Sequence, residues 1–139
     1  MEIILRGRTV VKGKAKGEAL VTDKPISFVG GIDTETGEFI EHEHPLFRQN
    51  IAGKILVYPT GKGSTGGSYV LYEAAYNGVG PAAIINNRIE QVTAVGSVLA
   101  EIPVIDQVKP DPVQCIKTGD YVEVDATEGV IHVIKRDKE

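Results

Sequence analysis

Lys54-Ile55-Leu56-Val57-Tyr58-Pro59-Thr60-Gly61-Lys62-Gly63-Ser64-Thr65-Gly66-Gly67-Ser68-Tyr69 is the stretch that decides the fold. Its first five residues form a compact apolar run of the kind that fills a strand buried on both faces. The next nine are rich in glycine and hydroxyl side chains. The following residues, SYVLYEAAYNG, place Val70, Leu71, Ala74 and Ala75 at helical spacing and end at Gly78, a helix-closing signal. Strand, glycine-rich loop and helix in that order make the core of an α/β unit.

Outward from this unit the same alternation continues. Pro81 to Ile85 reads as a second buried strand, ended by Asn86-Asn87. Glu90 to Ala100 has helical spacing at Val92, Val95 and Leu99, and Ile102 to Ile105 reads as a third strand. Both ends of the chain read as β. Ile3–Leu5, Gly17–Thr22, Ile26–Val29 and Glu38–Ile40 are short, partly β-branched segments bounded by turn residues, and 42–46 reads as a loop. Tyr121–Asp125 alternates, and Gly129 to Ile134 is its hairpin partner across a turn. One domain over residues 1–139 is expected, with parallel central strands, added antiparallel strands, and a frayed tail at 135–139.

Composition narrows the function. The chain has 139 residues, 42% hydrophobic and 24% charged, enough for a core without disulfide or metal staples. Its net charge of −4 argues against a nucleic-acid-binding domain. No apolar run approaches the roughly 20 residues that span a bilayer, and the first residues lack the order of a signal peptide, so a cytoplasmic protein is expected. The single cysteine, Cys115, cannot form an internal disulfide or supply the several thiolates of an iron–sulfur cluster. Its apolar-then-turn context suggests a buried structural thiol.

Three readings of the glycine-rich loop compete. Gly61, Gly63 and Gly66 spell G-x-G-x-x-G, but Asn86-Asn87 stand where a dinucleotide fold places an acid, and no lysine precedes Ser68 as a Walker loop requires. A plain strand-to-helix turn needs only Ser68 as N-cap. It leaves the other hydroxyls, the glycines and Lys62 without a purpose. The third reading is an anion cradle at a helix N-terminus that presents an activated hydroxyl.

The run Gly61 to Gly66 follows Val57-Tyr58-Pro59. Gly80-Pro81-Ala82-Ala83-Ile84-Ile85 and Glu101-Ile102-Pro103-Val104-Ile105 lie downstream. Together these resemble the swivel-domain small subunit of the aconitase X family, over nearly the whole chain. The resemblance implies a swivelling β/β/α domain like the small subunit of isopropylmalate isomerase. It also implies reversible dehydration of a hydroxy acid, performed with a separate large subunit as a heterodimer or heterotetramer. That large subunit would hold a 4Fe-4S cluster whose open iron binds the departing hydroxyl, with no cofactor in this chain. By the motif match Ser64 is the proton acceptor, and Lys62, Gly63, Thr65 and Gly66 are the expected substrate contacts. A free-standing small chain points to the archaeal mevalonate branch, which dehydrates (R)-5-phosphomevalonate to trans-anhydromevalonate 5-phosphate. Another hydroxy acid such as hydroxyproline, or a non-catalytic phosphate- or nucleotide-binding module, is the alternative. Apolar surface near the loop is expected to be covered by the larger chain.

Remaining candidates are weighed less. His42 and His44, with Glu41 and Glu43, invite a metal, but Pro45 follows directly and a solvated loop is the simpler expectation. His132 is expected at a strand surface or edge, and Asp33, Glu35, Glu38 and Glu41 on a solvated acidic face. A carrier domain would need a histidine beside the glycine-rich helix start, where none lies. Asn86, Asn87 and Arg88 end a buried strand, where α/β folds place ligand contacts, and are expected as a second loop beside Ser64.

Overall fold

Ile55–Tyr58 (β3) and Ala83–Asn86 (β4) are buried at every position, so both faces of each strand are covered. The computed structural model, which describes residues 2–63 and 66–135, shows what covers them. The other elements are β1 (Glu2–Val11), β2 (Lys14–Val21), α1 (Gly67–Tyr76), α2 (Gln91–Ala100), β5 (Val104–Lys109), α3 (Pro112–Cys115), β6 (Tyr121–Asp125) and β7 (Val130–Ile134). The strands close into a barrel in the order β1-β5-β4-β3-β2-β6-β7. The run β2-β3-β4-β5 is parallel, and the remaining pairs are antiparallel. Among the described residues, no helix is long and apolar enough to cross a membrane.

Register sorts the apolar residues into two cores. Val57 pairs with Ile85, and Ile85 with Ile105; these point into the barrel with Leu5, Val122 and Ile131. Leu56, Ile84 and Val104 point outward instead, into a second core with Leu71 of α1 and Phe28, Phe39 and Ile51 of the 22–54 segment. Together the two cores hold β3 and β4 from either side.

Several boundaries differ from the sequence expectation. Ile26–Val29 and Glu38–Ile40 are not strands; the region carries only the bridges Ile26↔Gly61, Ile32↔Phe39 and Glu38↔Asn50. Local bonds displace a ladder here. The Asp33 carboxylate accepts from the amides of Glu35 (2.8 Å) and Thr36 (3.3 Å), and Thr36 Oγ1 accepts from Glu38 N. The third central strand starts after Pro103, which has no amide to donate, and runs to Lys109 because β1 pairs with it. Lys135, expected in the frayed tail, is held: its Nζ donates to Asp120 Oδ2 (2.6 Å) and to the Cys115 carbonyl (2.7 Å). Residues 136–139 lie outside the described part.

The helical spacing over 90–100 corresponds to α2, but the face it buries is not its apolar stripe. Val95 and Leu99 are exposed, whereas Thr93, Gly96 and Ser97 are buried. The small residues allow α1 and α2 to touch backbone to backbone. A Cβ on Gly96 would lie 2.9 Å from Ser68 Cα and 3.1 Å from its carbonyl oxygen.

Candidate functional site

One residue beyond Val57, Ile85 and Ile105, the parallel strands present Tyr58, Asn86 and Asp106. All three are fully buried on the outward, helix-covered side. Arg8 of β1 pairs in register with Asp106 and extends this polar row. The row lies at the carboxyl ends of parallel strands, the edge at which α/β folds gather ligand-binding loops. Two described segments cover it: 59–63 after β3 and 87–90 after β4.

The first half of the glycine-rich loop is fixed on three sides. Ile26 N donates to the Thr60 carbonyl (3.2 Å) and Lys62 N to the Ile26 carbonyl (2.9 Å), so the chain here is a short parallel bridge to the 22–54 segment. The amides of Asn87 (3.0 Å) and Arg88 (3.1 Å) both donate to the Pro59 carbonyl, which ties the two loops together. Gly61 rests on α2: a Cβ there would lie 2.8 Å from Thr93 Oγ1 and 2.9 Å from Glu90 Cδ. Gly63 has φ +106 and sits over Ser27, a conformation that suits glycine and no other residue.

These contacts sort the expected substrate contacts. The Lys62 amide is committed to Ile26, so it cannot line an anion cradle; the Lys62 side chain is exposed and free to do so. Ser64 and Thr65 lie outside the described residues. Gly66 is the N-cap of α1 and supplies no side-chain cap, and Ser68 lies inside the first helical turn and is not the N-cap. The plain-turn reading expected Ser68 as that cap, and Gly66 takes the position instead.

The 87–90 loop is held as firmly. Asp106 receives a forked pair from Arg8, Nε to Oδ1 at 2.8 Å and the terminal guanidinium nitrogen to Oδ2 at 2.9 Å, and accepts from Ile89 N at 3.0 Å. A buried carboxylate is tolerated when its lone pairs are answered in this way. Gln107 N donates to the Asn87 carbonyl (2.9 Å), and Gln107 has φ +51, a left-handed backbone in a non-glycine residue at the rim. Asn87 Nδ2 donates to Asp111 Oδ1 (3.0 Å), and Asn86 Nδ2 to the Tyr58 carbonyl (2.9 Å). Asn86 is thus a structural residue beneath the rim; Arg88 is exposed on it.

Glu90 joins the two halves. Its carboxylate caps α2, accepting from Val92 N (2.8 Å), Thr93 N (3.0 Å) and the Thr93 hydroxyl. The Tyr58 hydroxyl lies beside Thr93 and Asn86 without reaching good hydrogen-bond geometry. Burial raises its pKa well above the ordinary tyrosine value; Thr93 and Asn86 pull it down in part, and the Glu90 charge adds to the rise. Tyr58 is therefore a protonated, neutral group and no general base.

The other candidates make separate contacts. Cys115, expected to be buried, is half-buried at the end of α3 and packs against the barrel core. His44 is buried, not solvated: its ring lies 4.5 Å from that of Phe39, its Nε2 donates to the Pro25 carbonyl (3.0 Å), and its Nδ1 accepts from Leu46 N (3.1 Å). His42 is exposed and stacks on Phe47, and His132 contacts Glu2 at 2.6 Å on the barrel wall. Among the described residues, no three His, Cys, Asp or Glu side chains converge as a metal site would require.

Sequence reasoning missed Asp106, Arg8, Glu90 and Tyr58. Asp106 had a signal, since it follows the apolar run Ile102 to Ile105 as Asn86 follows Ala82 to Ile85. Glu90 also had one, standing just before a helical run as a cap does. Arg8 had none, because its role depends on strand register.

Similarity to known proteins agrees with this architecture. Residues 4–133 match the family model described as the aconitase X swivel domain. The phosphomevalonate dehydratase small subunit of Methanosarcina acetivorans is 47% identical over 133 residues, spanning 96% of this chain and 92% of that protein. The protein of the same name from Thermococcus gammatolerans is 48% identical over 130 residues, spanning 94% and 97%. The crystal structure of Thermococcus kodakaraensis aconitase X in its holo form matches with a TM-score of 0.91 at 46% identity, over 96% of this chain and 99% of that one. The chain belongs to the aconitase X swivel-domain family.

Proposed function

We propose that this chain is the small subunit of a two-chain hydro-lyase that dehydrates (R)-5-phosphomevalonate to trans-anhydromevalonate 5-phosphate, and that Ser64 is its proton acceptor. The observation that carries the reading is near-full-length identity of 47–48% to proteins named phosphomevalonate dehydratase small subunits. The anchored glycine-rich loop at the carboxyl edge of the parallel strands supports it.

Elimination of water breaks a carbon–hydrogen bond and a carbon–oxygen bond. The electron pair of the first becomes the new double bond, the proton goes to a base, and hydroxide leaves with a second group. In this reading the chain supplies the base. A neutral serine hydroxyl is too weak for the task, so its anion must be stabilised. The N-terminus of α1 and the exposed Lys62 side chain are the groups suited to that, and they act more strongly once a partner excludes water. Gly63, Thr65 and Gly66 complete the proposed substrate contacts, with Lys62 facing the phosphate or carboxylate of a phosphorylated hydroxy acid.

The iron–sulfur cluster expected of the family does not fit this chain. Cys115 is the only cysteine, it ends α3, and it packs against the barrel core. The cluster, and with it the acceptor for the leaving oxygen, is assigned in this proposal to the large subunit. Reconstitution tests the reading. Purified small and large subunits, each inactive alone, should together convert 5-phosphomevalonate to its anhydro product; a combined preparation that leaves this substrate untouched and dehydrates another hydroxy acid overturns the substrate assignment.

A further inference from the structure

We propose that the outer face of the α1–α2 pair is the surface on which the large subunit docks, an inference that rests on the two-subunit reading above. Helices on a closed barrel ordinarily bury their apolar stripe and expose the polar one. Here the polarity of α2 is reversed. It buries Thr93, Gly96 and Ser97 against α1 and the barrel, and exposes Val95 (46%), Val98 (58%) and Leu99 (59%). On α1, Tyr69 (78%), Tyr72 (43%) and Tyr76 (80%) face the same way.

The patch is continuous. Tyr69, Tyr72 and Leu99 line one groove of about 440 Å³ together with Ser68, and Tyr72 stacks on Tyr76 with ring centroids 6.5 Å apart. At roughly 200 Å² per tyrosine the three rings alone expose on the order of 400 Å². That already matches the largest apolar patch of a typical monomer, and with the aliphatic residues it suits the centre of a standard interface of about 800 Å² per partner.

Two observations name the occupant. The relatives are small subunits by name, which implies a larger chain as partner. The patch also starts at Ser68 and Tyr69, in the first turn of α1, directly after the glycine-rich loop. A chain that completes the site beside Gly66 and Gly67 would meet this face in the first turn of α1. Exposed tyrosines suit such a contact, since each offers a rigid apolar body and a hydroxyl for the rim.

The test measures affinity of the purified large subunit for the full small chain by calorimetry. Leu99→Asp and Tyr76→Ala alter exposed side chains, and Lys16→Asp on the opposite barrel wall is the control. The two patch variants should weaken binding at least 10-fold while Lys16→Asp stays within 2-fold. Hydrogen exchange on the wild-type complex gives a second readout, with protection of 68–76 and 91–100 on assembly. Unchanged affinity of both variants, or equal weakening by Lys16→Asp, overturns the proposal. So does self-association of the isolated chain that the patch variants abolish while large-subunit binding persists, because a second copy then owns the face. Ser64→Ala separates this from the catalytic reading: it should bind with wild-type affinity whether or not activity is lost.

Discussion

Replacing Gly61 by alanine tests whether the loop is glycine there because of what lies beneath it. Gly61 does not have a positive φ, so alanine suits its backbone and on chain entropy alone should stabilise by about 0.4–1 kcal/mol. The new Cβ would stand 2.8 Å from Thr93 Oγ1 and 2.9 Å from Glu90 Cδ, and closer still to the carboxylate oxygen. Such overpacking costs about 1–3 kcal/mol. Relief by swinging Glu90 away loses the α2 cap, which is worth about 0.5–2 kcal/mol. The net expectation is a loss of about 1–2 kcal/mol. Glu90→Ala removes the cap and the nearest obstacle and leaves only the Thr93 hydroxyl, released from its carboxylate partner, to turn aside, so Gly61→Ala added to it should cost much less than in the wild type. Urea unfolding of wild type, both single variants and the double variant gives the coupling energy, expected at about 1–2 kcal/mol. Strict additivity would show that the contact does not determine the residue and would refute the reasoning.

Other expectations follow from the same geometry. Tyr58 has a raised pKa when folded, so its contribution is complete below the unfolded tyrosine value of about 10 and is lost as pH rises beyond it. Tyr58→Phe should leave stability at pH 7 nearly unchanged and flatten the alkaline decline seen in pH-dependent urea midpoints. Gly96→Ala gains helix propensity of about 1 kcal/mol but drives a methyl into the Ser68 backbone; overpacking of about 1–3 kcal/mol outweighs the gain, with a net loss of up to about 2 kcal/mol by thermal or urea unfolding. The isolated chain should show no micromolar binding of NAD or ATP by calorimetry, since its glycine-rich loop packs on Glu90 and Ser27 and lacks the acid and lysine of nucleotide loops.

The sequence exposes most clearly those parts whose signal is local. Ile55 to Tyr58, the glycines and the helical spacing after them lie within one window, and Tyr121 to Ile134 carries both its alternation and its turn. The 22–54 segment misleads because its β-branched residues suggest strands, whereas Asp33, Thr36 and the Gly30-Gly31 pair hand the backbone nearer partners. Periodicity marks the apolar stripe of α2 correctly but cannot say which way it faces; Gly96 against Ser68 decides that, and it is a contact between helices. The Arg8–Asp106 pair and the closure of the barrel depend on partners about a hundred residues apart, beyond any local pattern. At the rim, Asn86 was visible as the end of a buried strand, while its neighbours in the row emerge only from register.

Ser64→Ala in the reconstituted two-chain enzyme bears most directly on the central claim that this chain removes the proton. Single-turnover dehydration of 5-phosphomevalonate should fall at least 1000-fold, about 4 kcal/mol of transition-state stabilisation, with subunit affinity and the iron–sulfur absorbance of the complex unchanged. Dehydration within a few-fold of wild type, in a complex equally loaded, would place the base on another residue and contradict the account.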